Sequence, residues 1–220
     1  MKKTALIFGS TGLVGNHLIS LLINDDYYSN IKIFVRGKSN IKNPKIETIK
    51  IDFKKLDLYS RYIKGDDCFF CIGTTKSDTP DKNEYRRIEY EIPTKIAKIA
   101  KNNNVSSFMY VSSLGSSTKT KNIYLKNKGE TEEFLRSLNF VSLSIIRPSL
   151  LLGSRNKFRI GEYILQILFK NLSFLFQGSL KQYRAIDSKN VALAMLNISK
   201  KKLQNVYFDS NNLHELSKKI

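Results

Sequence analysis

Histidine and cysteine are scarce in this 220-residue chain, with two of each. His17, His214, Cys68 and Cys71 cannot assemble a zinc-type cluster between them, so no metal site is expected. The C-x-x-C spacing of Cys68 and Cys71 would suit thiol redox chemistry or half a zinc site. The pair lies in the apolar run Cys68-Phe69-Phe70-Cys71-Ile72, however, which reads as a buried strand in which residues three apart point to opposite faces. A core role follows. Long apolar runs are also missing. Ile164 to Phe176 contains Lys170 and Asn171 and is too short to span a bilayer, so no transmembrane segment is expected. The start, Met1-Lys2-Lys3-Thr4-Ala5-Leu6-Ile7-Phe8, resembles a signal peptide, but it breaks at Gly9-Ser10-Thr11-Gly12 and no A-x-A cleavage site follows. It reads as the first strand of a cytoplasmic protein.

Acidic residues are few: 19 Asp and Glu against 37 Lys and Arg give a formal net charge of +18. Such an excess attracts phosphates over long range and raises nucleic acid or an anionic membrane as partners. Here the basic residues are spread along the whole chain, lysine dominates, and Asn and Ile are also plentiful, which is a background bias. With no aromatic-basic motif of a known reader, no nucleic-acid partner is expected.

What is present fits a soluble α/β protein, with 41% hydrophobic and 25% charged residues in 25.3 kDa. Short apolar runs alternate with helix-like segments, the signature of βαβ units and a parallel sheet. Strands are predicted at 4–8, 31–35, 47–51, 67–72, 107–111, 141–146 and 205–208, and helices at 13–23, 83–102, 121–137, 159–171 and 188–199. The expected organisation is a single Rossmann-type, doubly wound domain over 1–220, with a small substrate-side lobe in 148–220.

Gly9-Ser10-Thr11-Gly12-Leu13-Val14-Gly15 directly follows the first strand and opens the first helix. Glycines there permit a tight turn and a close approach to a pyrophosphate, and the helix N-terminus offers free N–H groups. An acidic residue ending the second strand would bind the ribose of NAD, but this chain has Val35-Arg36-Gly37-Lys38. A guanidinium suits a 2′-phosphate, so NADP(H) is the expected cofactor, read by Arg36 with Lys38 assisting, and NAD(H) is the alternative. Asp52-Phe53 and Gly73-Thr74-Thr75 follow the third and fourth strands, where adenine and the body of the cofactor would pass.

The fifth strand runs into Ser112-Ser113, and Tyr124-x-x-x-Lys128 follows on a helix. Residues i and i+4 share a helix face, and a nearby ammonium stabilises a phenolate, so Tyr124 is expected to exchange a proton. Ser113 would then hydrogen-bond the substrate oxygen. The same spacing recurs at Tyr28-x-x-x-Lys32, but at the opposite end of the sheet.

The ordered set Phe70-Cys71-Ile72-Gly73-Thr74-Thr75, Val111-Ser112-Ser113-Leu114-Gly115, Tyr124-Leu125-x-x-Lys128-Gly129-Glu130, Arg147-Pro148-x-x-Leu151-Leu152 and Arg159-x-Gly161-Glu162 resembles the short-chain dehydrogenase/reductase superfamily. The likeness is to its atypical, epimerase-like NAD(P)H-binding branch, which includes the Tat-interacting oxidoreductase. This resemblance implies that Lys128 also contacts the nicotinamide ribose and that Ile72 and Gly73 border the cofactor. It further implies that Pro148 and Leu151 line the nicotinamide end and that Arg159 reaches the cofactor. The branch often carries two consecutive basic residues where this chain has Arg36-Gly37. The expected activity is hydride exchange with a small carbonyl or alcohol substrate. A sugar-nucleotide epimerase or dehydratase, and a non-enzymatic NADPH-sensing regulator or assembly factor, are the competing readings.

Overall fold

The computed structural model describes residues 3–153, 183–203 and 206–218. Strands β1 (Lys3–Phe8), β2 (Tyr28–Val35), β3 (Ile46–Lys50), β4 (Asp67–Phe70), β5 (Ser107–Val111) and β6 (Ser142–Arg147) form one sheet with β9 (Tyr207–Asp209). Its order is β3-β2-β1-β4-β5-β6-β9, and every neighbouring pair is parallel. This is the doubly wound Rossmann-like arrangement, with the order reversing between β1 and β4. A separate parallel pair joins β7 (Leu151–Leu152) to β8 (Ile186–Asp187).

Strand alternation divides the core in two. Ala5 and Ile7 face one layer and Leu6 and Phe8 the other. The first layer is completed by helix α1 (Leu13–Ile23), α5 (Ser188–Lys201) and α6 (Ser210–Leu216), through residues such as Leu18, Leu22, Val191, Met195 and Leu213. The second uses α3 (Ile92–Asn102) and α4 (Ile123–Ser137), which contribute Ile96, Ala97 and Leu135. The described residues between 186 and 216 therefore supply β8, β9 and much of the first core layer. The predicted helix at 159–171 and the apolar segment Ile164 to Phe176 lie outside the described residues.

The predicted helix 83–102 is a composite of α2 (Lys82–Arg86), a π-helical turn over Arg87–Glu91, and α3. Pro93, in the first turn of α3, has no N–H to give to the carbonyl four residues back, which belongs to Glu89. The Thr131 hydroxyl from α4 donates to that carbonyl at 2.9 Å instead. The widened turn and this bond let the helix run through the proline while tying it to α4.

Strand β2 begins at Tyr28, three residues earlier than predicted. The β1–β2 register shifts between Lys3 and Thr4, and the shift puts Tyr28 in the same core layer as Ile31 and Ile33. The Tyr28 hydroxyl donates to Asp67 at 2.8 Å, at the amino end of the strands. Lys32 Nζ reaches the Lys64 carbonyl, so the two members of this second Tyr-x-x-x-Lys match serve separate structural contacts.

Candidate nicotinamide-nucleotide site

At the carboxyl ends of β1, β2 and β4 lies a cleft of about 1040 Å³. Its wall is the turn from β1 into α1. Gly9 holds φ at +91°, and a Cβ there would sit 2.7 Å from the Cys71 carbonyl carbon, so turn and β4 are in backbone contact. A Cβ on Gly15 would fall 2.1 Å from the Gly9 carbonyl oxygen, which is why the helix can start so close to its own turn. Gly12 is the N-cap of α1, with no side-chain cap and no acidic residue in the first turn. The first N–H groups of α1 are thus left for an anion. Among the described residues Ser10 Oγ is buried beside them with no hydrogen-bond partner. Free N–H donors, an orphaned hydroxyl and a glycine wall fit a pyrophosphate.

Gly9, Ser10, Thr11, Gly12 and Leu13 line the cleft, as do Arg36, Lys38, Phe53, Ile72, Gly73 and Thr74. Val14 does not, because it sits on the inner side of α1 and is buried in the core. Gly15 lies behind the turn as its packing partner. Asp52 is exposed and is not among the cleft-lining residues; one of its carboxylate oxygens accepts from the Lys54 N–H at 2.9 Å. Pro148 is buried and its carbonyl accepts from the Leu114 N–H, while Leu151 packs against the first core layer. Arg159 lies outside the described residues.

Two adjacent serines take opposite roles. Ser112 is 3% exposed, and its hydroxyl donates to Glu132, which in turn pairs with Arg147. Among the described residues Ser113 Oγ makes only a long 3.4 Å bond to the neighbouring Leu114 carbonyl, which leaves its hydroxyl available to another acceptor or donor.

Beneath the cleft floor is a buried polar cluster. Lys128 and Glu89 form an ion pair at 3.0 Å with side chains 3% and 0% exposed. Lys128 Nζ also donates to the Val111 carbonyl at 3.0 Å and lies 4.7 Å from the centroid of the Tyr110 ring. The other Glu89 oxygen accepts from the Thr74 N–H at 2.5 Å. A Cβ added to Gly73 would stand 3.5 Å from Glu89 Oε1 and 3.8 Å from Lys128 Nζ, so the cleft-lining Gly73 backbone lies directly against the pair. Burial by itself would push the Lys128 pKa down. Glu89 first, then Tyr110 and Tyr124, outweigh it and hold the ammonium well above its ordinary value. Burial pushes the Cys71 thiol up to about 12, with Lys128 pulling the other way, and raises the Tyr110 phenol as well. Tyr124 is half-buried and close enough to Lys128 and Tyr85 to act on both electrostatically. Among the described residues no group of three or more His, Cys, Asp and Glu could hold a metal ion.

The model for the NAD(P)H-binding family matches residues 9–200. The chain belongs to that NAD(P)H-binding family, in the atypical short-chain dehydrogenase/reductase group. Within this family it is similar to protein HTATIP2 of Rattus norvegicus, 29% identical over 199 residues that cover 89% of this chain and 80% of that protein. It is also similar to the mitochondrial protein FMP52 of Meyerozyma guilliermondii, 35% identical over 158 residues covering 69% and 66% of the two chains. Its fold is shared by WbmH of Bordetella bronchiseptica, solved in complex with NAD+, at a TM-score of 0.71 and 18% identity over 99% of this chain and 80% of that one. Binding of a nicotinamide cofactor is thus a property of the family to which this chain belongs.

Glu89 and Arg87 are among the residues of the candidate site that sequence reasoning missed, as are the cleft-lining Asn16, Asp78 and Ile88. Glu89 and Arg87 lie in the π turn, and Arg87 lines the cleft while forming a fork with Glu84. The signal was Pro93 inside a predicted helix, which marks a break at the carbonyl four residues earlier.

Proposed function

We propose that the protein is an NADP(H)-preferring oxidoreductase that exchanges hydride with a small carbonyl or alcohol substrate. The observation that carries this reading is the continuity of one cleft from a phosphate-ready turn to a floor laid over Lys128 and Glu89. The bound dinucleotide would supply or accept the hydride. The chain's own residues do the rest. The N–H groups of the first α1 turn and Ser10 Oγ hold the pyrophosphate. Arg36 and Lys38 hold the 2′-phosphate through charge-assisted hydrogen bonds. Tyr124 gives its phenolic proton to the substrate oxygen in reduction and takes it back in oxidation, and Ser113 Oγ hydrogen-bonds the same oxygen. The Lys128 charge stabilises the Tyr124 phenolate left behind.

Affinities for NADP and NAD test the cofactor part. Arg36→Asp is expected to cost NADP about tenfold or more in affinity while leaving NAD within a few fold. Equal preference in both proteins would overturn it. NADPH oxidation against a panel of aldehydes, ketones and quinones tests the reaction: Tyr124→Phe is expected to abolish turnover while retaining cofactor binding.

A second reading, an NADPH-sensing regulator, is favoured by the near-complete burial of Lys128. It expects a partner interaction that responds to NADPH over NADP and survives Tyr124→Phe. For location, our reading is the cytoplasm. The FMP52 relatives are named as mitochondrial, and fractionation of the tagged protein separates the two.

A further inference from the structure

A lysine ammonium buried to 3% exposure needs a fixed counter-charge, or it neutralises instead of staying ionised. The groups facing Lys128 come from every surrounding element. Tyr124 lies on its own helix, Tyr85 on α2, Glu89 on the π turn, Tyr110 on β5 and Cys71 after β4. Among these only Glu89 is a carboxylic acid; the others are phenols and a thiol, which begin as neutral groups.

Glu89 is itself held from three directions. Its carbonyl accepts from Thr131 at 2.9 Å, one carboxylate oxygen accepts from the Thr74 N–H at 2.5 Å, and the other faces Lys128 at 3.0 Å. The carboxylate therefore bridges the cleft-lining loop after β4 and the helix that carries Tyr124.

We propose that Glu89 is a positioning residue of this site, the fixed counter-ion that keeps Lys128 charged and sets it against the Gly73-Thr74 floor. It acts on Tyr124 only through Lys128. The inference rests on the reading of Tyr124 as the proton-exchanging group, yet its consequences are measurable without turnover.

The test is the ionisation of Tyr124 in the apo protein, taken as the ultraviolet absorbance difference between each protein and its Tyr124→Phe counterpart across pH. With the carboxylate replaced in Glu89→Gln, burial pulls the Lys128 proton off at lower pH and the phenolate loses its stabilising charge. Tyr124 is then expected to titrate about 0.5 to 1 pH unit higher than in the wild type. In a Lys128→Met background the same Glu89→Gln change is expected to shift Tyr124 no further. A merely structural glutamate would lower the melting temperature and leave the Tyr124 titration where it was, and that result overturns the proposal. So does a downward shift.

If Glu89→Gln does not fold, the wild type still decides. In lysine-labelled protein the Lys128 Cε resonance, assigned by its loss in Lys128→Met, is expected to keep its charged position past pH 10.5, the ordinary lysine value. Deprotonation below that value overturns the proposal. An absence of turnover in the substrate panel would count against the oxidoreductase reading alone, because neither titration requires a substrate.

Discussion

The two ends of the cleft are built on different principles. The turn end is backbone: seven consecutive residues turn from β1 into α1, and three glycines among them bring main chain against main chain. The other end is side chain. Lys128, Glu89, Tyr110 and the Thr74 N–H arrive from four separate segments of the chain and meet under the Gly73 backbone. The first end is rigid because there is no room to be otherwise, and it carries no titrating group of its own. The second is held by charge, so it depends on pH and on every partner being present.

The sharpest way to break this comparison is at the backbone end. Gly15→Ala places a methyl 2.1 Å from the Gly9 carbonyl oxygen, and neither atom belongs to a flexible side chain. We expect loss of NADPH binding together with destabilisation of about 3 kcal/mol or more, read by fluorescence titration and denaturant unfolding. Gly37→Ala, which would meet nothing within 4 Å among the described residues, is the control for stability and is expected to leave unfolding unchanged.

At the side-chain end, Lys128→Met strands the Glu89 carboxylate in the core. Breaking a buried pair in this way costs about 3–5 kcal/mol, whereas the double variant with Glu89→Gln is expected to recover most of the loss. The urea midpoints of the three proteins measure it. Of the two serines, Ser112→Ala removes a hydrogen bond to the buried Glu132 carboxylate and is expected to cost about 1–3 kcal/mol. Ser113→Ala, with only its long bond to lose, is expected to stay within about 0.5 kcal/mol in stability while turnover falls. Equal stability losses would mean that the two hydroxyls are not divided as described.

The smallest effect is in pH. Lys128 has a folded-state pKa raised above 10.5, so its contribution to stability is complete below that value. The contribution is lost as pH rises from 10.5 through the folded pKa. Alkaline unfolding above pH 10.5 should therefore be steeper in the wild type than in the Lys128→Met, Glu89→Gln double variant, which lacks the pair.

The difference between the two ends also explains what could be read without coordinates. The turn at Gly9 to Gly15 was legible because its parts are contiguous and its chemistry lies in glycine's freedom and a helix terminus. Parallel strands and their order of appearance followed from apolar runs of the right length, and boundaries moved by one to three residues where ends are set by neighbours. Tyr28 shows the limit. Its spacing to Lys32 equals that of Tyr124 to Lys128, and only a register shift against β1 reveals that it is locked onto Asp67.

Sequence by itself determined that this chain winds a parallel sheet and opens a helix on a glycine turn, since both depend on local pattern and backbone freedom. Only the tertiary structure decided that Lys128 would be buried against Glu89 and that Ser112 and Ser113 would face different partners. Charge pairing across 39 residues of chain is invisible to spacing, because it is settled by which helices pack and by how Pro93 deforms the one that carries Glu89.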